Sequence, residues 1–242
     1  MCGIAGLIHK GKSSNVGGEM TAMLQALKHR GPDSTGYAVY GEPTEGDYVL
    51  RLKVAEAEDM AKGRGIHQVL ADRITEVEAI MQEHGVTVKT KEHATEYALR
   101  YLISHEGDTT ALAEHIEETD GVEILSLGNG LELIKDLGDA SDVAGLYGLN
   151  EFNGTHGIGH TRMATESAVT TLGAHPFSTG PDQCLVHNGS LSNHNSLRRT
   201  LAREGVTVET ENDTEVAAAY LTWKMQQGRT LGEALESGID DL

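Results

Sequence analysis

Apolar positions along the chain fall into short runs and helical repeats that predict its elements. IAGLI at 4–8 is a short apolar run, most simply a buried strand. SSNVGGEMTAMLQALKHRG at 13–31 reads as a loop and then a helix: Met20, Met23, Leu24 and Leu27 recur at helical spacing, and Gly31-Pro32 stops it. GYAVYG at 36–41 and YVLRLKV at 48–54 predict a strand pair across a Gly/Pro/Glu turn. In residues 66–85, Leu70, Ile74, Val77 and Met81 share one helical face, and Gly85 follows as a C-terminal stop. VTVKT then predicts a short strand, HATEYALRYLISHEG another helix, TTALAEHIEET a third helix capped by Thr, and GVEILSLG a strand. Residues from about 60 to 120 therefore read as a small α/β insertion of acidic, amphipathic helices. From Gly154 the chain turns glycine-rich and strand-like, through GTHGIGHTRMAT, GAHPF and DQCLVHNGSL. A helix with Val216, Tyr220 and Trp223 on one face follows, and LGEALESG forms a last short helix. No long linker or low-complexity tract interrupts this order.

Composition narrows the class. The 242 residues suit one large domain or two small ones, and 38% hydrophobic with 23% charged residues is ordinary for a soluble globular protein. The net charge of −18 opposes partnership with nucleic acid or an anionic membrane surface, since both repel an acidic chain. Cys2 and Cys184 are the two cysteines, too few for a disulfide framework or a zinc cluster, so a reducing, cytoplasmic setting is expected. The run at 4–8 is too short for a signal peptide, and no stretch approaches the ~20 apolar residues of a membrane span. His67, His84, His93, His105 and His115 are scattered over the insertion without metal-ligand spacing and read as surface residues.

The candidate chemistry begins at MCG. A cysteine behind the initiator methionine becomes the first residue once the methionine is removed, because the side chain is small. It would then carry a thiol and a free α-amine, with ordinary pKa values of about 8.5 and about 7.7–8.0. That places a nucleophile and its general base on one residue. Four motifs accompany it: HRGPDSTG at 29–36, GHTRMAT at 159–165, VHNGSL at 186–191 and ENDTEV at 211–216. Taken singly, Asn188-Gly189 is a common turn pair, Asn212, Asp213 and Thr214 are helix-capping residues, and Arg162 is half of an ordinary ion pair. Taken together, they supply a site for the side-chain amide of a free amino acid. Cys2 is the nucleophile, and the Asn188 carboxamide with the Gly189 N–H donates to an oxyanion. Arg162 offers a planar fork to an α-carboxylate, and Asp213 an anion to an α-ammonium. Glutamine fits these groups best.

This set resembles the class II glutamine amidotransferase domain, a member of the N-terminal-nucleophile hydrolases, over residues 1–56 and roughly 120–242. The resemblance implies an α+β fold, a four-layer αββα sandwich of mostly antiparallel sheets, with 1–242 as one domain and about 60–120 inserted in it. It implies that Cys2 attacks with its α-amine as base, that Asn188 and Gly189 form the oxyanion hole, and that Arg162 and Asp213 bind the substrate's carboxylate and amine. Arg30 and Asp33 belong to the loop that closes near the site, and His175 sits beside the glutamine pocket. HRGPD is shared with asparagine synthetases. ILSLGNGLELIKDLGDASDVAGLYGL with GIGHTRMAT, GAHPF and VHNG looks closer to glutamate-synthase-like proteins, and most like the stand-alone amidotransferase subunit of N-methylglutamate synthase. That implies synthase subunits as partners, no cofactor on this chain, and flavin and iron–sulfur groups on the partners. Met163 and Ser190 depart from the family's usual aromatic and Glu. The family's stacked sheets also imply further strands after IDDL, so a truncated C-terminus is expected. A retained Met1 would remove the base and favour a non-catalytic assembly or glutamine-sensing subunit, while another amide as substrate is opposed by the Arg162–Asp213 pair.

Overall fold

A computed structural model of the chain describes residues 2–63, 65–163 and 171–241. In chain order the elements are β1 (Gly3–Ile8), α1 (Val16–Ala26), β2 (Ser34–Tyr40), β3 (Asp47–Lys53), α2 (Ile66–Glu83), β4 (Thr87–His93), β5 (Ala98–Ser104), α3 (Thr109–Glu117) and β6 (Glu123–Gly128). They continue with β7 (Leu131–Leu137), α4 (Ala140–Leu146), β8 (His156–Arg162), β9 (Phe177–Gly180), β10 (Gln183–Leu185), α5 (His194–Arg203), α6 (Asp213–Gln226) and α7 (Leu231–Asp241). The fold is mixed α+β and layered, built on antiparallel sheets in the orders β1-β8-β2-β7 and β4-β5-β3-β6, with a β9–β10 hairpin beside them. Among the described residues no helix is long and apolar enough to cross a membrane.

The two sheets are halves of one folded ribbon. β2 pairs with β7, and β3 pairs with β6. Between them the ribbon turns at Gly41, whose N–H donates to Gly130 O at 2.9 Å, and at Thr44, whose N–H donates to Asn129 O at 3.3 Å. β2 and β3 therefore follow one another in sequence without pairing, contrary to the expected hairpin: β2 pairs with β7 and β8, and β3 with β5 and β6, so both edges of each strand are taken. The segment 93–107, expected as a helix, contains β5 instead. Leu99, Tyr101 and Ile103 alternate inward, and pairing with β3 on one side and β4 on the other satisfies both backbone edges, which outweighs the helical propensity of Ala and Leu. β1 lies at the sheet edge rather than buried throughout, with Ile4 and Ile8 turned outward. α3 is capped by Asp108, whose carboxylate accepts from the N–H groups of Thr110 and Ala111, and not by Thr.

Glycine spacing fixes the faces of the first sheet. In β8, a side chain at Gly159 would meet Leu24 Cδ1 at 2.6 Å, and one at Gly157 would meet Val16 Cγ1 at 3.1 Å, so α1 lies directly on this face. His160 and Arg162 then project from the opposite face, because side chains alternate along a strand. α1 itself runs from Asn15, which caps Gly18 N–H, and buries Val16, Met20 and Leu24 one turn apart. α2 buries Leu70, Val77 and Met81 as the periodicity predicts, joined by Ile80, and Gly85 follows at positive φ. The segment from about 60 to 120 is not a separate body: β5 joins the second sheet, and Leu70, Tyr101 and Leu112 share one core with Tyr37 and Leu50.

Charges are buried where the sheets meet. Arg51 of β3 bonds Glu132 of β7 at 2.6 Å, and Arg100 of β5 bonds the same carboxylate at 2.8 and 2.9 Å. Lys53 reaches Glu56 at 2.9 Å and Thr171 at 3.1 Å, with Asp136 at 3.8 Å. Asp136 accepts from the hydroxyls of Tyr97 and Tyr147, each at 2.8 Å. Burial alone would raise the Glu132 carboxyl, but hydrogen bonds and charge from Arg100 and Arg51 outweigh it and hold it below the usual range. Its stabilising contribution is therefore present above the ordinary carboxylate range and is lost as pH falls below it. Glu132→Ala leaves buried Arg51 without its carboxylate and is expected to cost about 3–5 kcal/mol, read as a lower urea midpoint at neutral pH.

Candidate active site

The ends of β1, β8 and β2 meet beside Cys2. The β1–β8 register pairs Gly3 with Thr161, so the residue before Gly3 lies beside Arg162 at the end of β8. Arg162 also pairs with Ser34 at the start of β2, and its carbonyl accepts from Asp33 N–H at 3.1 Å. The HRGPD segment thus lies against the same strand end. Gly31 packs on the Arg162 main chain so closely that a Cβ there would collide with it, which explains glycine at this turn. Arg30 Nε donates to the Cys2 carbonyl at 3.3 Å, and Asn188 Nδ2 donates to the same oxygen at 3.0 Å.

The arm carrying Asn188 and Gly189 follows β10, as its sequence suggests, and is held from below. Asp182, at positive φ in the β9–β10 turn, accepts from the N–H groups of Asn129, Gly130 and Leu131 at 2.8–2.9 Å. One carboxylate therefore ties the hairpin to the corner of the ribbon. Tyr40 OH adds contacts to Asp182 O at 3.3 Å and Cys184 Sγ at 3.4 Å. Burial pushes the Cys184 thiol up to about 11, so it stays protonated at neutral pH and is a packing residue. Cys2 is half-buried at the mouth.

Asp213 opens α6, capped by Asn212, whose side chain accepts from Thr214 N–H. The Asp213 carboxylate accepts from Leu191 N–H at 2.7 Å, which closes the chain from Asn188 back onto the helix. His175 lies one layer below the mouth. It is buried, stacks on His160 with ring centroids 4.3 Å apart, and places Nε2 2.8 Å from Thr214 Oγ1. Gly36 makes room for it: a Cβ on β2 at that point would collide with the His175 carbonyl oxygen. His160 Nε2 lies 2.9 Å from Asn188 Oδ1.

Of the residues expected from sequence, Cys2, Arg30, Asp33, Arg162 and Asn188 meet directly or through the Arg162 main chain. Gly189 extends the Asn188 arm at the exposed rim, Asp213 reaches it through Leu191, and His175 supports the floor. Ala164 and Thr165 of the GHTRMAT motif lie outside the described residues, as does Met1. Sequence reasoning passed over His160 and Thr214. Two-residue spacing places His160 on the same strand face as Arg162, and that period was the available signal. The insertion's histidines also differ from a scattered surface set: His84 Nε2 lies 3.0 Å from His115 Nδ1, and His105 is buried. Among the described residues no group of acidic, histidine and cysteine side chains is arranged to hold a metal. A cavity of about 430 Å³ lies apart from the mouth, between α3, β6, β9 and α6. It is lined by Glu117, Glu123, Lys135, Glu209 and Thr222, and none of the site residues faces it.

Comparisons with known proteins place the chain in a family. A glutamine amidotransferase domain model matches residues 138–235. Along its whole length the chain is 45% identical to the glutamine amidotransferase-like protein GlxB of Rhizobium meliloti (strain 1021), covering 76% of that protein. It is 37% identical to the Methanothermobacter thermautotrophicus protein named "Putative glutamine amidotransferase", covering 78% of it. Some 52% of the chain aligns at 34% identity with 20% of the glutamine–fructose-6-phosphate aminotransferase of Vibrio vulnificus. The chain belongs to the glutamine amidotransferase family. It is an amidotransferase enzyme.

The floor of the site is neutral. Burial pushes His160 down to about 4; the bond to Asn188 opposes this fall and Arg162 adds to it. Burial pushes His175 down to about 2, with His160, Arg162, Lys135 and His187 adding to the fall. Both values lie below the unfolded value of about 6.5, so folding favours the neutral rings. Stability is therefore whole above pH 6.5 and falls as pH drops toward 4, by about 1.4 kcal/mol per pH unit for each such ring. Urea midpoints of the wild type are expected to fall more steeply between pH 6.5 and 4.5 than those of His160→Phe, which has no proton to take up.

Proposed function

We propose that the chain hydrolyses L-glutamine to glutamate and ammonia and passes the ammonia to a synthase subunit of the glutamate-synthase-like or N-methylglutamate-synthase type. The observation that carries this reading is the meeting of Cys2 with Arg30 and Asn188 at one oxygen, beside Arg162. With Met1 removed, the α-amine of Cys2 takes the thiol proton, and the sulfur attacks the side-chain amide carbon. The oxyanion that forms is met by the Asn188 amide and the Gly189 N–H. The same amine's proton goes to the leaving nitrogen, ammonia departs, and a thioester remains. Water then adds to the thioester carbon, and the thiol and glutamate are released.

Substrate choice follows from the two ends of the site. Arg162 provides a bidentate fork for the α-carboxylate, and Asp213 a carboxylate for the α-ammonium. Asparagine is one methylene short of spanning both ends, and an acylated amine removes the charge that Asp213 meets. Residues 1–242 act as one amidotransferase unit with 60–120 as an insertion. This chain brings no cofactor to the reaction; flavin and iron–sulfur groups belong to the partner subunits. The setting is cytoplasmic.

Intact-protein mass spectrometry with a diazo-ketone glutamine analogue tests this reading. The expected result is a chain lacking Met1 with one adduct, mapped to Cys2 and blocked by excess glutamine. A chain that keeps Met1 and takes no label would instead support a glutamine-sensing or assembly subunit. Cys2→Ala is expected to lose roughly a thousandfold or more of glutamine turnover while keeping its thermal melt. Arg162→Lys keeps the charge and loses the fork, and should raise KM for glutamine about tenfold with little change in kcat.

A further inference from the structure

Two sets of hydrogen bonds run inward from the mouth and end on two rings that touch. The first starts at the Cys2 carbonyl, which can only accept. It therefore turns the Nδ2 side of the Asn188 amide toward itself, at 3.0 Å, and leaves Oδ1 facing inward. Oδ1 can also only accept, so the His160 Nε2 that lies 2.9 Å away must carry the ring proton. One carbonyl thus fixes the amide, and the amide fixes the tautomer. The second set starts at α6. Thr214 Oγ1 faces the Asp213 carboxylate at 3.4 Å and His175 Nε2 at 2.8 Å. A hydroxyl turned toward a carboxylate donates to it and accepts from the imidazole, so His175 also carries its proton on Nε2. His187 Nδ1 flanks this pair, 3.4 Å from Thr214 Oγ1 and 4.0 Å from Asp213 Oδ1.

The rings of His160 and His175 lie 4.3 Å apart at 27°, and Phe177 closes the far side edge-on at 5.1 Å. His160 is 1% exposed and His175 8%, and the Nδ1 of each is buried without a hydrogen-bond partner. An unpaired buried nitrogen is costly to keep, and each ring is nevertheless present with its Nε2 on a site residue or its neighbour.

We propose that this stacked pair positions the two ends of the substrate site relative to each other. His160 is a positioning residue for the oxyanion donor: it holds Asn188 with its N–H toward the reacting carbon. His175 is a positioning residue for the amine end: it grips the first turn of α6 through Thr214 and so sets Asp213. The contact between the rings fixes the separation between these two ends. This inference rests on the roles given above to Cys2, Asn188 and Asp213.

The test combines a spectroscopic and a kinetic readout. Long-range ¹⁵N NMR on the wild-type chain is expected to show both rings neutral with the proton on Nε2 at pH 7. A proton on Nδ1 of His160 overturns the proposal. In glutamine hydrolysis, His160→Phe should lower kcat about tenfold to a hundredfold and change KM less than about threefold, because a misdirected donor loses part of what a deleted one loses. His160→Gln restores an N–H donor and should recover at least about fivefold of that loss. His175→Phe should raise KM about tenfold and change kcat less than about threefold. Equal movement of kcat and KM in both variants means a merely structural role and overturns the proposal, as does an unchanged kcat in His160→Phe. Equal turnover by the wild type and Cys2→Ala would instead sink the nucleophile reading, and the NMR tautomer would still decide what the pair holds.

Discussion

The site depends on one hydrogen bond, from the Asn188 amide to the main-chain oxygen of Cys2, between residues 186 positions apart. Either partner alone lies at a chain end or on an exposed arm. The bond forms because separate parts of the fold bring the two together. Pairing of β1 with β8 sets the Cys2 carbonyl next to Arg162. The Asp182 carboxylate, fastened to three N–H groups at the ribbon corner, sets the start of the arm. His160 Nε2 meets the other end of the amide at 2.9 Å. An amide turned the other way would place two acceptors, Asn188 Oδ1 and the Cys2 carbonyl, face to face.

Much of the polar interior serves this geometry and costs stability to keep. Two imidazoles are held neutral beside the cation Arg162, and buried Glu132 and Arg51 meet half-buried Arg100 between the sheets. Apolar residues of similar volume would pack the same space with less desolvation. The Lys53–Glu56–Thr171 cluster shows what the charges do instead. Glu56 of the second sheet's flank bonds Thr171 of the segment that leads to His175, so the floor of the site is anchored to the neighbouring sheet. Charge placement here specifies which parts of the chain meet, in the way a single polar pair specifies a register.

The local settings of the candidate residues were legible because they depend on residue type and near neighbours. Asn188-Gly189 after a strand, Arg162 at a strand end and Asp213 at a helix start are short-range facts, and the structure has each in that setting. α2 was legible for the same reason: Leu70, Val77 and Met81 already lie on one helical stripe. Strand β5 was not, because ALRYLIS fits either period, and the choice fell to β3 and β4, whose paired residues lie 45–57 and 6–17 positions away in the chain. β2 and β3 misled for a related reason. Adjacent strands with a turn between them usually pair, yet here the ribbon folds at that turn: β2 takes its partners from beyond the insertion, and β3 takes β5 from within it and β6 from beyond it.

The sequence by itself determined the inventory: a thiol behind Met1, a carboxamide–glycine pair, a guanidinium, a carboxylate, and the backbone preferences that put each at the end of an element. Those are properties of residues and their near neighbours. Tertiary structure alone decided that Arg30 and Asn188 share the Cys2 carbonyl, that His160 and His175 stack beneath them, and that Cys184 is a half-buried thiol pushed up to about 11. Burial, tautomer and mutual distance are set by what packs on each group from remote parts of the chain, and no local pattern carries that information.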